Sequence, residues 1–272
     1  MRITVLSENT CPSGLPAEHG LSLYIETADH RNILFDTGQS ALFARNAELL
    51  GVDLRKADIA VISHGHYDHA GGLATFLSIN DHAPVYIHEK AFEPHFSMKD
   101  DGLRPIGIDP TLASDSRIRL CHGTNIIGDG LTLFSDVVAT YPPPPANRML
   151  FGPNPNENDD FRHEQNLLIR ENGKLVLFAG CAHRGILNII HSAERLSGGI
   201  PTHVVAGMHL MKSGLSGIVE RKMLQDLARH LLDFPDTRYL TMHCTGEAPY
   251  RTLLHIMGSR ISYLPCAATA II

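Results

Sequence analysis

The chain has 272 residues, 43% of them hydrophobic and 19% charged, which is enough to bury one large α/β core and too apolar for a disordered protein. A formal net charge of −6 excludes the basic footprint of a nucleic-acid or anionic-membrane binder and leaves a small molecule as the expected partner. The opening MRITVLSENT has no leader-like apolar segment, and no run reaches the roughly 18 apolar residues of a membrane span, so a cytoplasmic location is expected.

In chain order, β-rich runs at 2–7, 21–26, 32–36 and 58–63 predict four strands, the first three joined through turns. Between the third and fourth, residues 40–51 predict a helix that Ser40 caps and Gly51 ends. The run AGGLATFLSI, from residue 70, predicts another. Further strands are expected at 131–139, 165–170, 174–180, 202–207 and 238–243, and helices at 184–197, 216–233 and 246–258. In the helix over 216–233, Ile218, Val219, Met223, Leu224, Leu227 and Leu231 form an apolar stripe that reads as core packing, and Pro235 stops the run. Residues 141–164, rich in Pro and Asn, are too long for an ordinary connection and read as a functional loop. Strands of the same character flank that loop, so one domain over 1–272 is expected, an α/β fold with two mixed sheets between helices.

Seventeen histidines are the compositional anomaly, and the segment ISHGHYDHAGG (62–72) concentrates them. His64 and His66 stand two apart just beyond a strand, so in extended geometry both imidazoles project to one side. Asp68 and His69 follow at the start of a helix, and Gly65, Gly71 and Gly72 free the backbone for so tight a path. Imidazole and carboxylate suit zinc and similar borderline metals. Four such groups in six residues exceed what one ion draws from a single segment, so two adjacent divalent ions are expected. Zinc comes first, with manganese, iron and nickel as alternatives. The five cysteines, an odd set without a C-x-x-C pair, are expected to stay reduced.

Read with LFDTG at 34–38, the H-x-H-x-D-H pattern resembles the metallo-β-lactamase superfamily. LSENT (6–10), EHGLSLYIE (18–26), GCAHRGILNII (180–190), AGMHL (206–210) and HCTGEAP (243–249) resemble one branch of it, the dihydropterin-ribofuranosylaminobenzene-phosphate synthase-like subfamily. The resemblance implies an αββα sandwich with the metals at one edge between the sheets, and chemistry at a phosphorus or carbonyl centre. It implies His64 and His66 on the first metal and Asp68, His69 and His243 on the second, with Asp68 also catalytic. It places Asp36 behind the histidine loop, as a hydrogen-bond acceptor that orients ligands.

The superfamily's bridging aspartate is missing. In its place the strand over 174–180 runs into Cys181, with His183 two residues on. Either the Cys181 thiolate takes the bridging position or His183 coordinates alone, and the subfamily-like GCAH favours His183. His163, in FRHEQNL, has the spacing of the superfamily's intermediate histidine and competes for the first metal. His209 ends a strand and reads as a group for substrate contact or proton transfer; Glu18, His19 and His88 read as pocket residues. His30, His82, His122, His191, His230 and His255 read as solvated or packed, and Cys244 as packed.

No G-x-S-x-G, G-x-x-x-x-G-K or strand-borne Rossmann glycine pattern is present, so serine, nucleotide-loop and hydride-transfer readings lose support. The leading expectation is a binuclear metal-dependent hydrolase or phosphate-centred transferase for a small phosphorylated or pyrophosphorylated metabolite. A lactone or thioester hydrolase with the same metals is the second, and a non-catalytic metal-binding or sensing protein the third.

Overall fold

In the strand Asn32–Phe35, Ile33 and Phe35 join one buried cluster and Leu34 another, the period-2 alternation of a strand covered on both faces. Lys174–Ala179 repeats the device, with Val176 and Phe178 on one side and Leu177 on the other. The two inward faces meet: the rings of Phe35 and Phe178 are 5.9 Å apart. A computed structural model describes residues 1–211, 214 and 217–272, apart from the side chains of residues 218 and 219.

The first sheet runs, in spatial order, Thr269–Ile271, Arg2–Ser7, Ser22–Glu26, Asn32–Phe35, Ile59–Val61, Val85–His88 and Ile118–Cys121. The second runs Ile261–Tyr263, Arg238–Thr241, His203–Ala206, Lys174–Ala179, Asn166–Glu171, Leu131–Phe134 and Thr124–Gly128. Helices Leu42–Leu49 and Leu73–Ile79 cover the outer face of the first sheet. Ile186–Ser197, Gly217–Leu232 and Glu247–Met257 cover the second. The result is the four-layer αββα sandwich, the fold of the metallo-β-lactamases. Leu224 and Leu231 are buried and Met223 and Leu227 half-buried against that outer core, whereas the side chains of Ile218 and Val219 are outside what is described. Among the described residues no helix is long and apolar enough to cross a membrane.

Each sheet changes from antiparallel to parallel pairing part-way across. The parallel strands Ile59–Val61, Lys174–Ala179, His203–Ala206 and Arg238–Thr241 all end towards His64, Cys181, His209 and His243 respectively, so one edge of the sandwich collects the chemistry.

Several boundaries differ from the sequence reading. The first helix begins at Leu42, later than expected, with Ala41 at its N-cap; the Ser40 hydroxyl, one position before that N-cap, accepts from Leu42 N. The helix expected from residue 70 is broken into Tyr67–Ala70 and Leu73–Ile79. The break is enforced by contact, since a Cβ on Gly72 would lie 2.3 Å from Thr37 O. The strand at 131 stops at Phe134. The long loop carries a 3₁₀ turn, Pro145–Met149, and the short strand Leu150–Phe151, which pairs with Phe96–Ser97.

Candidate metal centre

Ser63 sets the first group of ligands. Its hydroxyl donates to Asp36 Oδ2 at 2.8 Å, so its lone pair receives the Nδ1 hydrogen of His64 at 2.9 Å. Asn147 Nδ2 donates to His183 O at 2.8 Å, which presents Asn147 Oδ1 to His183 Nδ1 at 3.0 Å. With Nδ1 protonated in both rings, each Nε2 is a lone pair. Those two atoms and His66 Nε2 are buried without a hydrogen-bond partner. One ligand atom from each of the three residues lies within 4.8 Å of the others. Burial pushes all three imidazoles well below their ordinary pKa and keeps them neutral. Three dry lone pairs facing one space are costly on their own, and they fit a cation bound at about 2.0–2.1 Å by each nitrogen.

A second group adjoins it. Asp36 accepts from Ser63 N at 2.7 Å through Oδ1 and from His69 Nδ1 at 2.6 Å through Oδ2. Asn9 Oδ1 accepts from Gly20 N at 3.3 Å and from His243 Nδ1 at 2.8 Å. The Nε2 atoms of His69 and His243 then face one another at 3.1 Å, with Asp68 Oδ2 3.3 Å from the latter. Burial opposes charge on His69, but the Asp36 and Asp68 carboxylates outweigh it and raise its pKa. Burial likewise opposes charge on Asp68, and the imidazoles of His69, His19 and His243 outweigh it and hold its carboxyl well below the usual range.

Cys181 Sγ, 3.1 Å from His69 Nε2, lies within ligand range of His64 and His69 on one side and of His183 and His209 on the other. Several residues here hold left-handed backbone without being glycine: Asp36 (φ +60°), Ala182 (+53°), His209 (+47°) and His243 (+50°). Each costs on the order of 1–3 kcal/mol, a concentration of strain typical of functional sites.

A family model described as the metallo-beta-lactamase superfamily matches residues 15–185, more than half of the chain. The chain belongs to that superfamily. A curated relative from Methanocaldococcus jannaschii, 7,8-dihydropterin-6-methyl-4-(beta-D-ribofuranosyl)-aminobenzene-5'-phosphate synthase, is 27% identical over 269 residues, covering 90% of this chain and 88% of the relative. A crystal structure described as a metal-dependent hydrolase of the beta-lactamase superfamily is 28% identical with a TM-score of 0.83, covering 100% of this chain and 99% of its own. An isothiocyanate hydrolase from Delia radicum gut bacteria shares the fold, with a TM-score of 0.56 at 16% identity over 100% of this chain and 99% of its own. The superfamily fold suggests divalent-metal binding, in keeping with the His and Asp clusters.

The superfamily motif residues His64, His66, Asp68 and His69 thus converge with His183 and His243. His19 stands at the mouth, its ring 4.9 Å from that of His243, its Nε2 3.2 Å from Asp68 Oδ2 and its side chain 44% exposed. His209 packs its ring 4.3 Å from His183 and leaves Nδ1 buried and unpartnered. The other two expected pocket residues, Glu18 and His88, make local hydrogen bonds, and His88 lines a cavity with Arg162 and Arg184. Glu18 fastens the turn at Gln39 and Ser40 by accepting from both amides and the Ser40 hydroxyl. His88 Nδ1 accepts from Lys90 N, capping a 3₁₀ turn, and burial pushes its pKa down to about 4.

His163 is displaced from the ring of unpartnered nitrogens: its Nδ1 lies 2.9 Å from Gly65 N and its Nε2 3.2 Å from Asp159 Oδ2. Asp159 and His95 form part of the same buried cluster and were not foreseen. His95 stands alone in sequence with no motif around it, and Asp159 sits in a loop rich in acids and asparagines. Asn147 and Glu164 were also missed; Glu164, buried, accepts from the amides of His183 and Arg184, and burial raises its pKa to about 7. Glu8 and Asn9, which hold His243, lie inside the quoted LSENT, so a signal for them existed.

Proposed function

We propose that the chain is a binuclear metal-dependent hydrolase or phosphate-centred transferase acting on a small phosphorylated or pyrophosphorylated metabolite. The observation that carries this reading is the convergence of imidazole Nε2 lone pairs whose Nδ1 partners leave them no other use. One cation would be held by His64, His66 and His183, the other by Asp68, His69 and His243, with Cys181 Sγ between. When bound, two such cations, zinc first among the candidates, supply Lewis acidity and lower the pKa of water.

The chain's own groups do the rest. Asp68, held ionised, faces His19, and that half-exposed ring gives a proton a route from the centre to solvent. His209, with its free Nδ1 beside His183, is placed to exchange a proton with bound substrate. A cavity of about 500 Å³ opens at His183 and Phe161, and Arg148 and Arg184 line it. Asp159 and Asp160 line the same cavity and Arg184 donates to Asp160 O and Val137 O, so the preference for an anionic substrate over a neutral lactone or thioester rests on Arg148. The phosphate in the printed name of the archaeal relative supports the same preference.

Metal-loaded protein assayed against a phosphodiester, a pyrophosphate, a lactone and a thioester tests the reading. Turnover of the phosphorus substrates is expected. Turnover confined to the carbonyl substrates would move the assignment to the lactone and thioester class, and full metal occupancy with no turnover would favour a metal-binding or sensing role.

A further inference from the structure

The spacing that marks His163 as a metal ligand conflicts with its hydrogen bonds. Gly65 N–H donates to His163 Nδ1 at 2.9 Å, which fixes the lone pair there and the hydrogen on Nε2. That Nε2–H points to Asp159 Oδ2 at 3.2 Å, and the same oxygen accepts from His95 Nδ1 at 2.9 Å. Asp159 Oδ1 takes Phe161 N at 2.7 Å. A neutral imidazole has one lone pair, and here the Gly65 amide has it. His66, His95, Asp159 and His163 do bring ligand atoms within 4.8 Å of one another, yet two N–H hydrogens already fill the space around Oδ2.

The amide that His163 grips belongs to the residue between His64 and His66. Its other side is closed as well, because a Cβ on Gly65 would lie 2.2 Å from Ala91 O. We propose that His163 is a positioning residue, oriented by Asp159, that clamps the Gly65 peptide and thereby sets the two imidazoles on either side of it. This rests on the assignment of His64 and His66 to the first cation. It gives the loop over 141–164 a task, since Asp159 is delivered from it and His163 stands at its end.

Glutamine separates a clamp from a ligand, because its Oε1 can accept from Gly65 N while its Nε2 donates to Asp159, but it replaces an imidazole ligand poorly. Cobalt-loaded full-length His163→Gln, His163→Leu and Asp159→Asn are compared with the unsubstituted chain by elemental analysis, cobalt titration and visible spectrum. The Gln variant is expected to keep both cations and the parent spectrum. The Leu and Asn variants are expected to bind one cation about 10–100-fold more weakly, the range for loss of an orienting partner. The other cation, near His69 and His243, stays and reports an intact fold. Loss of the cation from the Gln variant as complete as from the Leu variant would make His163 a ligand and overturn the proposal. Unchanged titrations in the Leu and Asn variants would overturn it too. If the Leu variant does not fold, the Gln variant decides alone. If the unsubstituted chain binds fewer than two cations, the binuclear reading fails first and the proposal with it.

Discussion

The Nε2 atoms of His69 and His243 stand 3.1 Å apart while both Nδ1 atoms donate elsewhere, to Asp36 and Asn9. Two lone pairs at that distance repel unless a proton or a cation lies between them. A cation that only the folded chain holds stabilises it by mass action, so chelation should destabilise the chain. Melting followed by circular dichroism should fall by several degrees after stripping and recover on adding zinc, since a ligand at 100 times its Kd contributes about 2.7 kcal/mol. Identical melts with and without bound metal would refute the arrangement.

Asp36→Asn should act on the second cation through a tautomer. An amide nitrogen facing His69 Nδ1 cannot accept its hydrogen, so the ring would move that hydrogen to Nε2 and block the lone pair. Metal affinity should fall about 10–100-fold. Stability should fall by about 1–3 kcal/mol, because Ser63 and His69 lose a buried acceptor. Parent-like metal titration and urea unfolding would reduce Asp36 to a turn residue.

Cys181 Sγ lies within reach of both ligand groups, so cobalt-loaded protein should show an intense sulfur-to-metal charge-transfer band. Cys181→Ser should abolish that band. A spectrum without it in the parent chain would leave the thiol a packed side chain.

Glu164 makes stability depend on pH in the direction opposite to a salt-bridged acid. Its folded pKa, raised by burial to about 7, lies above the ordinary 4.5, so between those values the folded chain holds a proton that the unfolded chain has released. Its contribution is therefore complete below pH 4.5 and is lost as pH rises through 7, a change of about 3 kcal/mol. Urea unfolding of the parent and Glu164→Gln at pH 5 and pH 7.5 should show the variant gaining on the parent at the higher pH. A constant difference would show that Glu164 titrates normally.

The strands that carry the site were legible because parallel, doubly covered strands read as short continuous apolar runs. The H-x-H-x-D-H segment was legible because its ligands are adjacent in sequence. What the sequence hid is what only contact reveals. Nothing at residue 95 signals that its imidazole meets Asp159, 64 positions away. The break at Gly71–Gly72 depends on the backbone of Thr37, and the duties of Glu18 and His88 depend on amides that lie nearby once the chain has turned. The role of His163 turned on which nitrogen holds a hydrogen, a property of its neighbours and not of its position.

The centre is divided between the two sheets: His64, His66, Asp68 and His69 follow a strand of the first, whereas Cys181, His183, His209 and His243 follow strands of the second. On the proposed assignment neither half holds the full ligand set, so high-affinity metal uptake would be a checkpoint on folding. A nascent chain presents the first four groups long before residue 243 is made, and only docking of the two sheets would turn that partial chelate into a closed one. A pair of ions bound as proposed would act as a rivet across the sandwich, beside the apolar packing and polar ties such as Gln165 Nε2 to Ile62 O and the Met1 ammonium to Glu171.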